Sequence, residues 1–158
     1  MKKIMTFSLM SVFILSLCAC SKMPFNGPIE FHEITLTVPE RFVRDSTQSK
    51  EDLWVFEHGN YSEYIIISRK DITGEAQTAL RDYVDYMKEN GAESEMVSFL
   101  NDNAVHSTYY KEEEFCQELL FAHNNSFYAV ALRGGDPKGF EEIVNTIGLL
   151  EAAPAATK

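Results

Sequence analysis

Basic residues are scarce in this chain of 158 residues: 14 Lys and Arg stand against 24 Asp and Glu, for a net charge of −10. Nucleic acid is therefore an unsuitable partner, because phosphate binding needs clustered Lys and Arg. There is also no apolar run of the roughly 20 residues that a membrane-spanning helix requires. No G-x-S-x-G, P-loop or Rossmann fingerprint occurs, and none of the histidines forms His-x-x-x-His or His-Glu-x-x-His. Internal repeats and a second linker are missing as well. What is present is a hydrophobic content of 45% with 12% aromatics, enough for one domain with a real core.

The first residues carry an address. Lys2 and Lys3 form a basic start, and an uncharged stretch from Ile4 to Ala19 follows it. That pattern is a secretory signal. Its ending, Leu17-Cys18-Ala19-Cys20, resembles a bacterial lipobox, in which a small residue precedes a cysteine that takes a diacylglyceryl group on sulfur. Leu17 is too large for the cleavage pocket this resemblance implies, so Cys20 and not Cys18 is the lipidation site. The expected organisation is a lipoprotein signal peptide at 1–19, then a lipidated cysteine and short tether at 20–28. A single domain at 29–150 and a disordered tail at 151–158 follow. Removing Lys2 and Lys3 with the signal takes the net charge from −10 to −12. Two acyl chains anchor stably, so the lipid on Cys20 holds this acidic body at a membrane. Cys116 is then left without a cysteine partner.

Alternation and helical spacing give the rest. Ile34-Thr35-Leu36-Thr37-Val38 reads as a strand ended by Pro39. Leu53 to Glu57 and Tyr64 to Ser68 form a hairpin around Gly59-Asn60, and Ile65-Ile66-Ile67 suggests cover on both faces. Ala76, Ala79, Leu80, Tyr83, Val84 and Met87 fall on one helical face, with Asn90-Gly91 as the stop. Met96–Leu100, Val105–Lys111, Phe115–Ala122 and Phe127–Arg133 read as an antiparallel meander. Asp136 then caps a second helix with Pro137 at its first position and the stripe Phe140, Ile143, Val144 and Ile147. Gly148 is the expected C′ residue. The fold class is α+β: an antiparallel sheet of six or seven strands with two amphipathic helices packed on it.

Two segments carry a family resemblance. Ile34-Thr35-Leu36-Thr37-Val38-Pro39-Glu40-Arg41-Phe42 resembles the opening strand of the PsbP-like fold, and Lys138-Gly139-Phe140-Glu141-Glu142-Ile143-Val144 resembles its last helix. Small bacterial lipoproteins of the DcrB type share that fold. The resemblance implies an α/β/α sandwich of scaffold, assembly and binding proteins, and offers no catalytic motif.

Candidate chemistry is sparse. His32, His58, His106 and His123 lie in or beside different expected strands, so no metal site is expected. Cys116 with His106 or His123 is the one conceivable nucleophile pair, against a buried thiol acting as a small hydrophobe. Glu112-Glu113-Glu114 cannot all point one way and reads as a solvated hairpin end, not a calcium site. Arg133-Gly134-Gly135-Asp136 could present an anion to a helix start, but Asp136 would occupy those donors itself. Trp54, Tyr61 and Tyr64 around the first hairpin are the expected interaction surface. No cofactor and no catalytic residue is assigned. The chain is expected to be a non-catalytic binding or assembly module with a protein partner, lipid-anchored to the cell membrane or outer membrane on the extracytoplasmic side. The alternative is a small hydrolase or ligand-carrying lipoprotein.

Overall fold

A computed structural model describes residues 27–59 and 62–150. Expectations for the signal, Cys20, most of the tether, Tyr61 and the tail fall outside the described residues. In chain order the elements are β1 (Gly27–Phe31), β2 (Ile34–Val38), β3 (Phe42–Arg44), β4 (Leu53–His58), β5 (Tyr64–Asp71) and α1 (Ala76–Glu89). There follow β6 (Glu93–Phe99), β7 (Asp102–Lys111), β8 (Glu114–His123), β9 (Ser126–Arg133), α2 (Pro137–Val144) and β10 (Gly148–Leu149).

Seven strands form an antiparallel sheet in the order β3-β4-β5-β9-β8-β7-β6, and β1-β2-β10 form a second sheet of three. Strand parity sets the layers. Phe56, Ile65, Ile67, Leu119, Phe121, Tyr128, Val130 and Leu132 point to one face and meet Phe31, Ile34, Leu36 and Val38 of the small sheet with Phe140 and Ile143 of α2. The opposite face carries a smaller cluster in which Leu80 and Val84 of α1 pack on Val105, flanked by Leu120 and Phe127. The result is three layers: α1, the large sheet, and the small sheet together with α2. The expected α+β class and meander are present, with most of the core on the α2 side.

Local chemistry accounts for the helix boundaries. Glu75 opens α1 without a side-chain cap, and Asn90 closes it, with Gly91 at φ +82° providing the left-handed exit. Asp136 accepts from the Lys138 backbone N–H at 2.7 Å, so it caps α2 as its spacing predicts. Gly148 is a correction: α2 ends at Val144 with Asn145 as C-cap, and Gly148 opens β10 opposite Thr35. Buried Ile147 and the bond from Thr37 N–H to Thr146 Oγ1, 2.8 Å, draw the chain onto β2 instead of ending it in a helix cap.

Two further differences follow from packing. Ile65 and Ile67 are buried but Ile66 is only half-buried, because α1 lies over β6, β7 and β8 and leaves β5 open on that side. β1 begins at Gly27, so its first two residues belong to the stretch read as tether.

Candidate functional site

Trp54 and Tyr64 belong to neighbouring strands but do not share a surface. The register pairs Trp54 with Ile67 and Tyr64 with Glu57, which puts the two aromatics on opposite faces of the large sheet. Trp54 packs on the main core, edge-to-face with Phe31 at 5.1 Å between centroids, and the Arg44 guanidinium lies 3.8 Å over its ring. Burial lowers the Arg44 pKa, and its buried Nε makes no hydrogen bond. Tyr64 is half-buried on the α1 side, 5.9 Å from the Arg133 guanidinium. Tyr61 and Cys20 lie outside the described residues.

The histidines are dispersed. His32 Nε2 is 3.1 Å from Asp52 Oδ1, His58 Nδ1 is 4.0 Å from Glu63, His123 approaches the Leu150 carbonyl at 3.4 Å, and His106 stacks on Phe140 at 5.7 Å. Among the described residues no group of three or more His, Cys, Asp or Glu side chains is placed to hold a metal. Nor is the Cys116 nucleophile pair assembled. Tyr109 pairs with Cys116, His106 with Leu119 and Ser126 with His123, so strand parity puts the cysteine on the α1 face and both histidines on the other. Burial pushes the Cys116 thiol up, the reverse of an activated thiolate.

Titratable groups do gather beneath α1. Tyr83 donates to Glu118 Oε1 at 2.5 Å. Burial raises the Glu118 carboxyl while this hydrogen bond opposes the rise, and burial beside Glu118 raises the Tyr83 phenol. Tyr109, on the same face, is pushed up to about 12, by burial first and the Glu118 charge second. Ser94 and Ser107 bond each other at 2.8 Å in the next strands. These groups share the α1 face; the Tyr83–Glu118 bond ties the helix to the sheet and the Ser94–Ser107 bond ties β6 to β7.

The triple-glutamate turn differs in detail from its expected form. Glu112 and Glu114 both reach Arg133, at 2.7 Å to Nη2 for Glu112 and through Nε for Glu114, while Glu112 and Glu113 take φ of +52° and +70° at the hairpin tip. Glu112 remains largely exposed even though it pairs with Arg133, and Glu114, the first residue of β8, is the more buried of the two. At Gly134, beside this cluster, φ is +74° and a Cβ would fall 1.9 Å from the Ser62 carbonyl oxygen. No larger residue fits there.

The open surface lies where α1 stops. Along the helix, Ala79 and Tyr83 with Ser68, Leu120, Phe127 and Ala129 line a groove of about 280 Å³ over β5 and β9. On the far side of α1, β6 is the last strand of the sheet, and an open groove of about 490 Å³ sits against it.

The fold resembles that of cyanobacterial PsbP. The solution structure of that protein (CyanoP) from Synechocystis sp. PCC 6803 matches with a TM-score of 0.56 and 9% identity, covering 85% of this chain and 98% of that one. A crystal structure from Bacteroides thetaiotaomicron also matches at 0.56, with 16% identity over 80% of this chain. This chain spans half the length of that Bacteroides protein. No protein-family model and no curated protein matches the sequence.

Among the described residues of this PsbP-like sandwich the aromatics most open to solvent are Tyr110, 75% exposed, and Tyr86, 58% exposed. Neither belongs to the surface of Trp54, Tyr61 and Tyr64 expected from sequence. Tyr86 sits on the solvent side of α1, which the 3.6-residue stripe through Tyr83 and Met87 indicates. Tyr110 follows Tyr109 in an alternating strand, and the buried partner of such a pair cannot be chosen without the layers.

Proposed function

We propose that this chain is an extracytoplasmic lipoprotein, held at a membrane by lipid on Cys20, that serves as a non-catalytic binding or assembly module of the PsbP-like kind. The observation that carries the reading is the separation of the chemistry-bearing side chains. Cys116 sits on one sheet face with a raised thiol, His106 and His123 sit on the other, and the polar cluster beneath α1 is spent on packing. The groove along α1 speaks for the ligand-carrying alternative. At about 280 Å³ it falls just below the range of small-molecule pockets, roughly 300 to 1,000 Å³, and it favours surface contact over enclosure.

Anchoring fits this geometry. Gly27 opens β1 opposite Val38, at the end of the sandwich that also holds the Arg41–Glu63 pair and the Arg133 cluster. The span from Cys20 to Gly27 reaches at most roughly 25 Å when extended. The anchored domain therefore works close to the bilayer, with the β1-β2 turn at its outer end. The test is Cys20→Ser with cell fractionation and a lipid label. The variant should leave the membrane fraction and lose the label; a variant that stays membrane-bound and labelled would sink the anchoring.

A further inference from the structure

The large sheet has two edges of unlike construction. β3 closes one with three residues, too short to template another chain. β6 forms the other with seven, Glu93–Phe99, and no described strand pairs with its outer side. Natural edges are blunted by proline, lysine, a bulge or a covering element. β6 contains no proline or lysine, keeps an unbroken register with β7 from Glu93–Thr108 to Phe99–Asp102, and is packed by α1 on its face, leaving its edge open. The one device present is negative charge.

That charge selects the occupant. Glu93 and Glu95 are both exposed and, two residues apart, point to the same face, the one that carries α2. Their β7 partners, Thr108 and His106, continue the row inward and line the groove of about 490 Å³ with them; Lys88 at the end of α1 also lines it, and against the two carboxylates it leaves the groove net negative. His106, one of the lining residues, stacks on Phe140 of α2. On the opposite face Ser94 is turned inward onto Ser107, while Met96 is 36% exposed. A second copy of the chain brings a net charge of −10 and carries the same two carboxylates, so self-pairing is opposed. We propose that β6 is a docking edge that takes an extended segment of a partner protein as an added strand, with basic side chains two residues apart beside Glu93 and Glu95 and an apolar side chain beside Met96. This rests on the reading of the chain as a binding module and names the partner's chemistry.

The probe is a blocked heptapeptide with a central threonine, flanked on each side by arginine, then valine, then threonine. It reads the same in both directions and so tests parallel and antiparallel pairing alike. A twin carries glutamate in place of arginine. Full-length protein is titrated with each, and affinity and amide hydrogen exchange are measured for the wild type and the Glu93→Lys/Glu95→Lys variant. The arginine peptide should bind the wild type about tenfold more tightly than its twin and slow exchange within 93–99, and the variant should reverse the preference. Both substituted positions are exposed, and a thermal melt confirms that the variant is folded. Unprotected β6 amides, or an unchanged preference in the folded variant, would overturn the docking edge. Anchoring through Cys20 is read independently of this experiment, and so is the complementation that tests the non-catalytic reading, so neither failure masks the other.

Discussion

Asp45→Asn changes one charge and almost no shape, and its effect can be worked out in advance. Asp45 Oδ1 accepts from Thr47 N at 2.7 Å, Thr47 Oγ1 at 2.6 Å and Gln48 N at 3.3 Å, and Oδ2 accepts from Gln48 Nε2 at 2.8 Å. The carboxylate thus organises the turn between β3 and β4. The side-chain bonds from Thr47 and then Gln48 hold its pKa at about 2, against an ordinary 3.8. A gap of that size corresponds to about 2.4 kcal/mol at most. Solvent screening at a surface turn reduces it to about 1 kcal/mol. Because the folded value is the lower one, this stability is fully present above the ordinary value and is lost as pH falls from 3.8 towards 2. Urea unfolding of the wild type and Asp45→Asn should therefore differ by about 1 kcal/mol at pH 7 and converge near pH 2. A difference of the same size at both pH values, or none at pH 7, refutes the reasoning.

Other substitutions test the packing around the site. Gly134→Ala forces a Cβ onto the Ser62 carbonyl at positive φ, so it should destabilise by about 3 kcal/mol, read by denaturant midpoint. Gly91→Ala, at φ +82° with open space around it, should cost only about 1 kcal/mol. Tyr83→Phe removes the bond to Glu118 and should cost about 1–2 kcal/mol at pH 7 by the same measurement. The raised Glu118 carboxyl binds its proton more tightly in the folded state, so its contribution to stability falls as pH rises through the interval above its ordinary value. Glu118→Gln should abolish that fall, and the variant should gain on the wild type as pH rises above the ordinary carboxyl range; parallel pH profiles would contradict it.

The long elements were legible because each satisfies its own pattern. The α1 stripe ends at Asn90-Gly91, α2 begins at Asp136-Pro137, and the four meander strands are separated by short polar turns. What could not be read is set by distant partners. β1, β3 and β10 are short, and β10 exists only because Gly148 and Leu149 meet Thr35 and Ile34. The β6–β7 turn falls on Leu100-Asn101 at φ +49° and +66°, although the pattern puts Leu100 at the end of the strand; the sequence conceals this because a bulky leucine at positive φ runs against turn preferences. At the site, the aromatic identities were visible but their faces were not. Trp54 and Tyr64 part company only once the β4–β5 register is known, and the Tyr83–Glu118 bond joins residues 35 positions apart.

The central claim is that the protein acts through its surface and not through turnover. Complementation of a deletion strain at matched protein abundance tests it most directly, comparing Tyr64→Ala and Tyr61→Ala with Cys116→Ala and single substitutions of His58 and His123, two histidines that lie outside the β6 groove. Trp54→Ala is included with a stability control, since that ring also packs on the core. The account predicts that the histidine and cysteine variants restore function while the aromatic variants lose it, each lost contact weakening binding by about 1–4 kcal/mol. A folded, abundant histidine or Cys116 variant that fails, alongside aromatic variants that work normally, would contradict it.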